Sequence, residues 1–291
     1  MATFKTPVLS LLRKLGYVKE QNQMKLAFLG TGAADWDFRK KDEYLKERGE
    51  FRRLSSTLIN GELLMDPGPH IFDAEETFGI SLDQVKMVVI THSHDDHYNE
   101  ENVFKLADRV HPVFFGDVWA KYKLALWAQN NGRSMDDVDF RPIKVDEVFD
   151  FGGYHFVSFH SNHNTEFPEE KTRNYAVTDP EGTKLFYGLD SGPFRYEMWE
   201  KMRGSEYDIM IHECTTGDVP GDDRIYGHTA LPWLLYSEHA LRQTKTVKEG
   251  APIWIDHMAL TLHGPQETIE QYIHDHGSDI HVAYDGLQME V

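Results

Sequence analysis

Thr91-His-Ser-His-Asp-Asp-His97 puts three histidines and a carboxylate, His92, His94, Asp96 and His97, into six positions. Neutral imidazole nitrogen and carboxylate oxygen are donors that suit Zn²⁺, Mn²⁺ or Fe²⁺. Directly ahead lies Val85-Lys-Met-Val-Val-Ile90, a short apolar, β-branched run with the composition of a buried strand. The donors therefore sit on the loop leaving the carboxyl end of a strand, where α/β sheets place their sites. A His-rich solvated loop is the plainer alternative, but random composition rarely spaces histidines this way behind a buried strand.

A site for two cations needs roughly six to eight ligand atoms, more than this loop holds. Three later apolar runs each deliver a polar residue at their carboxyl end. Tyr154-His-Phe-Val-Ser-Phe159 leads into His160-Ser-Asn-His163, of which His163 is the favoured ligand and His160 the competitor. Leu185-Phe-Tyr187 leads into Gly188-Leu-Asp190-Ser-Gly192, and Ile253-Trp-Ile255 into Asp256-His257. Taken singly, Asp190 could be a turn residue and His257 a hydrogen-bonded core histidine. The repeated strand-then-ligand pattern outweighs either alternative.

Composition narrows the function. At 291 residues the chain can bury a full core. No run of about 18 apolar residues is present, so no transmembrane helix is expected. The apolar stretch Pro7-Val-Leu-Ser-Leu-Leu12 is too short for a signal peptide. A single cysteine, Cys214, excludes an internal disulfide framework and fits a reducing cytoplasm; it reads as packing rather than as a nucleophile. The net charge of −18, with no basic cluster beyond Arg39-Lys40-Lys41 and Arg52-Arg53, disfavours long nucleic acid as a partner. Those two arginines are candidate phosphate contacts, though adjacent arginines in a charged segment are more often solvated.

Residues 1–23 read as a helical appendage whose Val8, Leu9, Leu11, Leu12 and Leu15 face needs cover and leaves a homodimer open. Residues 24–291 form the main domain. It opens with a strand at 25–29 that ends in Gly30-Thr-Gly32, followed by a charged insertion at 36–53. Strands flank Asn60-Gly61, a hairpin turn. Helices are expected at 70–78, 99–108, 117–130, 194–203, 229–242 and 265–275. Strands are expected at 85–90, 112–115, 142–149, 154–159, 173–178, 184–189, 208–211, 252–256 and 280–284. Hairpin groups mixed with strand–helix units imply two sheets with helices outside. No internal sequence repeat is visible.

His-x-His-x-Asp-His behind an apolar strand, then a His, an Asp and a last His on later strand ends, resembles the metallo-β-lactamase superfamily, from about residue 24 onward. The resemblance implies a four-layer αββα sandwich with metals at one edge of the sheets. Leu29-Gly-Thr-Gly-Ala33, Ser55-Ser-Thr57, Asp66-Pro-Gly68, Ile211-His-Glu213 and Gly227-His-Thr229 narrow it to the phosphodiesterase branch. That branch includes RNase Z and the phosphoribosyl cyclic phosphate phosphodiesterases, and the ending Val282-Ala-Tyr-Asp-Gly-Leu287 is similar to the latter. By resemblance His92, His94 and His163 hold one metal, Asp96, His97 and His257 hold the other, and Asp190 bridges. Asp66 would accept a hydrogen bond from a ligand histidine. Two features depart from the branch: residues 33–53 lack the cysteines of a structural zinc, and no basic tRNA-binding arm is present.

The chemistry expected is hydrolysis by a metal-bound hydroxide between two divalent ions, Zn²⁺ or Mn²⁺ with Fe²⁺ also admissible. His228 is the candidate general acid for the leaving alkoxide, and Glu213 the carboxylate that orients and charges it. Asp96 counts among the catalytic residues as well as the ligands. His228 could instead belong to a helix N-terminus, and Glu213 could be a capping or surface carboxylate. His274, His276 and His281 read as structural. The leading expectation is a phosphodiesterase for a small, potentially cyclic, phosphate ester. The alternative is a hydrolase of a lactone or other carboxylic or thioester substrate. A non-catalytic binding protein is the third class, disfavoured because every ligand position is filled.

Overall fold

A computed structural model describes residues 23–35, Asp37, Lys40, Glu43 and 51–291. The expected N-terminal helix and most of the charged insertion lie outside the described residues. Among the described residues fourteen strands form two seven-stranded sheets. The first uses β1 (Lys25–Gly30), β2 (Ser56–Ile59), β3 (Leu63–Met65), β4 (Met87–Val89), β5 (Val113–Gly116), β6 (Phe140–Pro142) and β14 (Gln288–Glu290), in the order β14-β1-β2-β3-β4-β5-β6. The second uses β7 (Val148–Phe151), β8 (Tyr154–His160), β9 (Arg173–Thr178), β10 (Lys184–Gly188), β11 (Ile209–Glu213), β12 (Ile253–Asp256) and β13 (His281–Val282), ordered β13-β12-β11-β10-β9-β8-β7. The described helices are α1 (Ile71–Phe78), α2 (Glu100–Val110), α3 (Val118–Asn130), α4 (Tyr196–Met202), α5 (Leu231–Gln243) and α6 (Gln266–Asp275).

Strand alternation divides the apolar side chains among three cores and so stacks four layers. Leu26, Phe28, Met87 and Val89 face the second sheet and pack on Phe156, Tyr175, Leu185 and Ile211. Their neighbours Ala27, Leu29, Val88 and Ile90 face outward onto Ala74 of α1, Phe104 of α2 and Leu124 of α3. On the far side Phe186, Met210 and Ile253 meet Met198 of α4, Leu234 of α5 and Ile273 of α6. The chain is an αββα sandwich. Asn60 and Gly61 both take positive φ (52° and 74°) at the centre of the turn between β2 and β3, which Glu62 N closes by donating to the Ile59 carbonyl at 3.1 Å.

Two expectations about strands are corrected. The single strand at 142–149 is two, β6 and β7, at edges of different sheets. The chain crosses between sheets there through Asp146 at φ 60°, with Glu147 Oε2 accepting from Lys144 N at 2.6 Å. The terminal strand at 280–284 shrinks to β13. The chain then turns back as β14 and pairs antiparallel with β1. Other expected elements end within two residues of the observed bounds.

The strand directions repeat although the sequence does not. In the first sheet β14-β1-β2-β3 are antiparallel and β3-β4-β5-β6 parallel. In the second β7-β8-β9-β10 are antiparallel and β10-β11-β12-β13 parallel. Equivalent strand ends therefore face each other along one edge of the sandwich. Among the described residues no helix is long and apolar enough to cross a membrane.

Candidate metal centre

That edge gathers the polar residues expected from the sequence. Asp66 follows β3, and Asp190 follows β10, the corresponding strand of the second half. The segment 92–97 follows β4, Glu213 ends β11, and His257 follows β12. Asp66, Asp190 and His257 all have positive φ (59°, 43° and 53°). Three non-glycine residues in this sparsely populated region, each at a strand end, hold their side chains inward at a local conformational cost.

Two clusters result, each with donor atoms within 4.8 Å of one another: His92, His94, His163 and Asp190, then Asp96, His97, Asp190 and His257; Glu213, His228 and His257 make a third beside them. Asp190 belongs to the first two. Its Oδ2 lies 3.3 Å from Nε2 of His92 and of His163. Its Oδ1 lies 3.1 Å from His97 Nε2 and 2.9 Å from His257 Nε2. Asp96 Oδ2 is 3.3 Å from His257 Nε2 and 3.5 Å from His97 Nε2. His160 is left out: it ends β8, half-buried, outside both clusters.

The outer hydrogen bonds fix which ring nitrogens point inward. Thr91 donates its hydroxyl proton to Asp66, at 2.9 Å from Oδ2, so it can only accept from His92 Nδ1 at 3.0 Å. His97 Nδ1 donates to Asp66 Oδ2 at 3.0 Å, and His163 Nδ1 to the Gly227 carbonyl at 3.0 Å. Thr215 Oγ1 donates to Glu213 Oε2 at 2.6 Å and so accepts from His257 Nδ1 at 2.8 Å. Each neutral imidazole is then left with an inward lone pair on Nε2. His97 and His257 aim theirs at each other across 3.0 Å, and His92 Nε2 lies 2.9 Å from His94 Nδ1. The opposed lone pairs of His97 and His257, beside a buried Asp190 Oδ1 with no hydrogen-bond partner, form a donor set that fits cations. Charge says the same: burial disfavours a charged imidazole, yet Asp190 and Asp96 raise His257 to about 10. The site draws positive charge, from protons or from metal.

Beside the second cluster stands His228. Its ring is stacked near that of His257, centroids 5.8 Å apart, and lies 4.6 Å from that of His163. Its Nδ1 is 3.1 Å from Thr215 Oγ1 and 3.5 Å from Glu213 Oε1. Burial lowers its basicity, but Glu213 more than offsets this and raises its pKa above the ordinary imidazole value. Glu213 is fully buried, not at the surface. It accepts from the backbone N–H groups of Ser191 (3.2 Å), Thr215 (2.8 Å) and Thr229 (2.6 Å) as well as from the Thr215 hydroxyl. Burial pushes its pKa up, but the charge and hydrogen bond of His228, with the charge of His257, hold it below the usual value.

Thr215 was not among the residues singled out from the sequence. One threonine carries no spacing signal, and its partners come from two strand ends and the turn ahead of α5. Arg52 and Arg53 are not solvated and do not line the site. Arg52 donates to Thr31 Oγ1 at 2.7 Å and to the Ala283 carbonyl at 2.8 Å. Arg53 is buried, donates to Asp73 at 2.6 Å, and pairs with Asp285 at 3.5 Å. Asp285 also accepts from Thr31 N at 3.0 Å, which ties the C-terminal segment to the turn after β1. Cys214 is buried, and burial pushes its thiol well above the ordinary range.

The clusters open into a cleft of about 570 Å³ lined by Asp96, His94, His163, His228, Arg224 and Glu166, among others. A family model described as the beta-lactamase superfamily domain matches residues 62–253. No curated protein matches the chain. Solved structures similar to it include a diphosphatase from the PhnP family, 17% identical, covering 92% of this chain and 98% of its own, with TM-score 0.67. Zinc-bound PqqB from Methylobacterium extorquens is 16% identical over 92% of this chain and 100% of its own, TM-score 0.67. The short form of human tRNase Z is 17% identical over 91% and 98%, TM-score 0.65. At these identities the likeness is one of fold.

Proposed function

The chain belongs to the beta-lactamase superfamily, a family of metallo-hydrolase fold, and on that premise we propose that it is a two-metal phosphodiesterase acting on a small phosphate ester. The observation that carries the reading is Asp190, whose two oxygens divide between two sets of imidazoles. His92, His94 and His163 would hold one cation, Asp96, His97 and His257 the other, with Asp190 shared. Three imidazoles on one side, and two imidazoles with Asp96 on the other, suit Zn²⁺ or Mn²⁺. When bound, such a pair supplies Lewis-acid activation of water and of the phosphate oxygens.

The chain's own residues supply the rest. His228 donates the Nε2 proton to the departing alkoxide. Its Nδ1–H stays on Thr215 Oγ1, whose own proton rests on Glu213, and this chain fixes the ring and favours the imidazolium. A good leaving group needs no such proton; an alkoxide does, and a general acid held by a buried carboxylate therefore supports a phosphodiester over an activated ester. A cleft of about 570 Å³ with several carboxylates in its walls supports a small substrate rather than long nucleic acid. The similar structures include a diphosphatase and a tRNase, both enzymes that act on phosphorus esters or anhydrides.

The test is an assay of Mn²⁺- and Zn²⁺-loaded protein against bis-p-nitrophenyl phosphate, a 2′,3′-cyclic nucleotide and a lactone panel. Turnover of the phosphodiesters is expected. Lactone turnover with no phosphodiester turnover would overturn the proposal in favour of carboxylic ester chemistry.

A further inference from the structure

Among the described residues lining the cleft, Arg224 is the one arginine or lysine. It sits on a short 3-10 turn, Asp223–Tyr226, three residues ahead of Gly227-His228. Asp222 clamps one edge of the guanidinium, Oδ1 accepting from Nε at 2.9 Å and Oδ2 from Nη2 at 2.8 Å. That fork fixes the plane of the group and leaves Nη1 with no hydrogen bond among the described residues. The side chain is about a third exposed, open to the cleft rather than sealed in the core.

Part of the anionic wall is engaged elsewhere. Lys123 Nζ holds Asp95 at 2.6 Å and lies 3.4 Å from Glu166. Asp35 accepts from Thr261 N at 2.6 Å through Oδ2, while its buried Oδ1 has no hydrogen-bond partner and its charge acts on Arg224. The cleft thus offers one oriented positive group with unused donor capacity, with Asp95 and Glu166 turned to Lys123.

Resting on the phosphodiesterase reading, we propose that Arg224 sets substrate specificity by binding a second anionic group, a phosphate or carboxylate, carried on the alcohol portion of the ester. The Arg224 main-chain carbonyl also accepts from Gly227 N (2.9 Å) and His228 N (2.8 Å), so the anion site and the proposed acid share one rigid turn. Replacing the side chain leaves that carbonyl in place, which separates recognition from support of His228.

The test compares three alkyl p-nitrophenyl phosphates, with alkyl chains of three to five carbons ending in methyl, phosphate or trimethylammonium. They are assayed on Mn²⁺-loaded wild-type protein and on Arg224→Gln. Calorimetric binding of the corresponding alkyl phosphates, which cannot turn over, provides a second readout. Wild-type protein should bind and turn over the phosphate-ended member with about tenfold lower KM and Kd than the methyl-ended one. Arg224→Gln should abolish that preference and change the methyl-ended ester less than twofold. Equal losses on all three, a preference that survives Arg224→Gln, or a preference for the ammonium-ended ester would overturn the assignment. If no ester turns over, the phosphodiesterase reading fails, and the binding arm still decides whether Arg224 is an anion site.

Discussion

Thr215 is the residue on which the site's proton arrangement turns. One hydroxyl serves Glu213, His228 and His257, so it fixes the tautomer of a proposed ligand and of the proposed acid together. Thr215→Val keeps the shape and removes those bonds. We expect a loss of about 10- to 100-fold in both turnover and affinity for the second cation, with Thr215→Ser restoring most of each; calorimetry and steady-state kinetics read both. An effect on only one of the two would break the link drawn here. His228 is tested separately. His228→Ala should slow an alkyl phosphodiester by about 10²- to 10⁴-fold and a p-nitrophenyl ester far less, because only the alkoxide needs the proton. Equal losses on both would remove its role as acid. Residues of the first kind, such as His92 or Asp190, are readable from sequence because each is a polar residue at the end of an apolar run. Thr215 and Arg224 are not, because their meaning comes only from neighbours that folding brings together.

At the scale of elements, the site depends on strand ends held at fixed angles. Gly68 shows how little room the arrangement leaves: a Cβ there would sit 2.7 Å from the main-chain oxygen of Asp96 and 3.2 Å from Ser56 Oγ. Gly68→Ala must therefore push the loop that carries four proposed ligands. We expect about 1–3 kcal/mol of lost stability in urea unfolding of the metal-free protein, and weaker binding of the second cation. Unchanged metal affinity would mean the loop absorbs the methyl without moving its ligands. The elements the sequence concealed are edge pieces. β14 alternates exposed and half-buried residues and earns its place by pairing with β1, a contact between opposite ends of the chain. β6 and β7 read as one run because the break between them rests on the φ of Asp146, and a single aspartate among charged neighbours does not announce a crossing.

For the molecule as a whole, two halves of matching strand direction meet so that Asp66 and Asp190, on equivalent strand ends, approach one edge from opposite sheets. Asp66 supports a histidine from behind while Asp190 faces both clusters, so one topological position serves two tasks. Two sheets with helices outside were legible from hairpin groups mixed with strand–helix units, and the sandwich from the resemblance that the ligand spacing carries; the directional repeat was not, since the halves share no sequence pattern. The central claim is a pair of cations sharing Asp190 and driving phosphodiester hydrolysis. Its most direct measurement is turnover of bis-p-nitrophenyl phosphate by metal-free protein as Mn²⁺ is added. The account predicts activity that climbs to a plateau at two equivalents per chain, and loss of the second equivalent in Asp190→Ala. A plateau at one equivalent, or saturation with metal and no phosphodiester turnover, would contradict it.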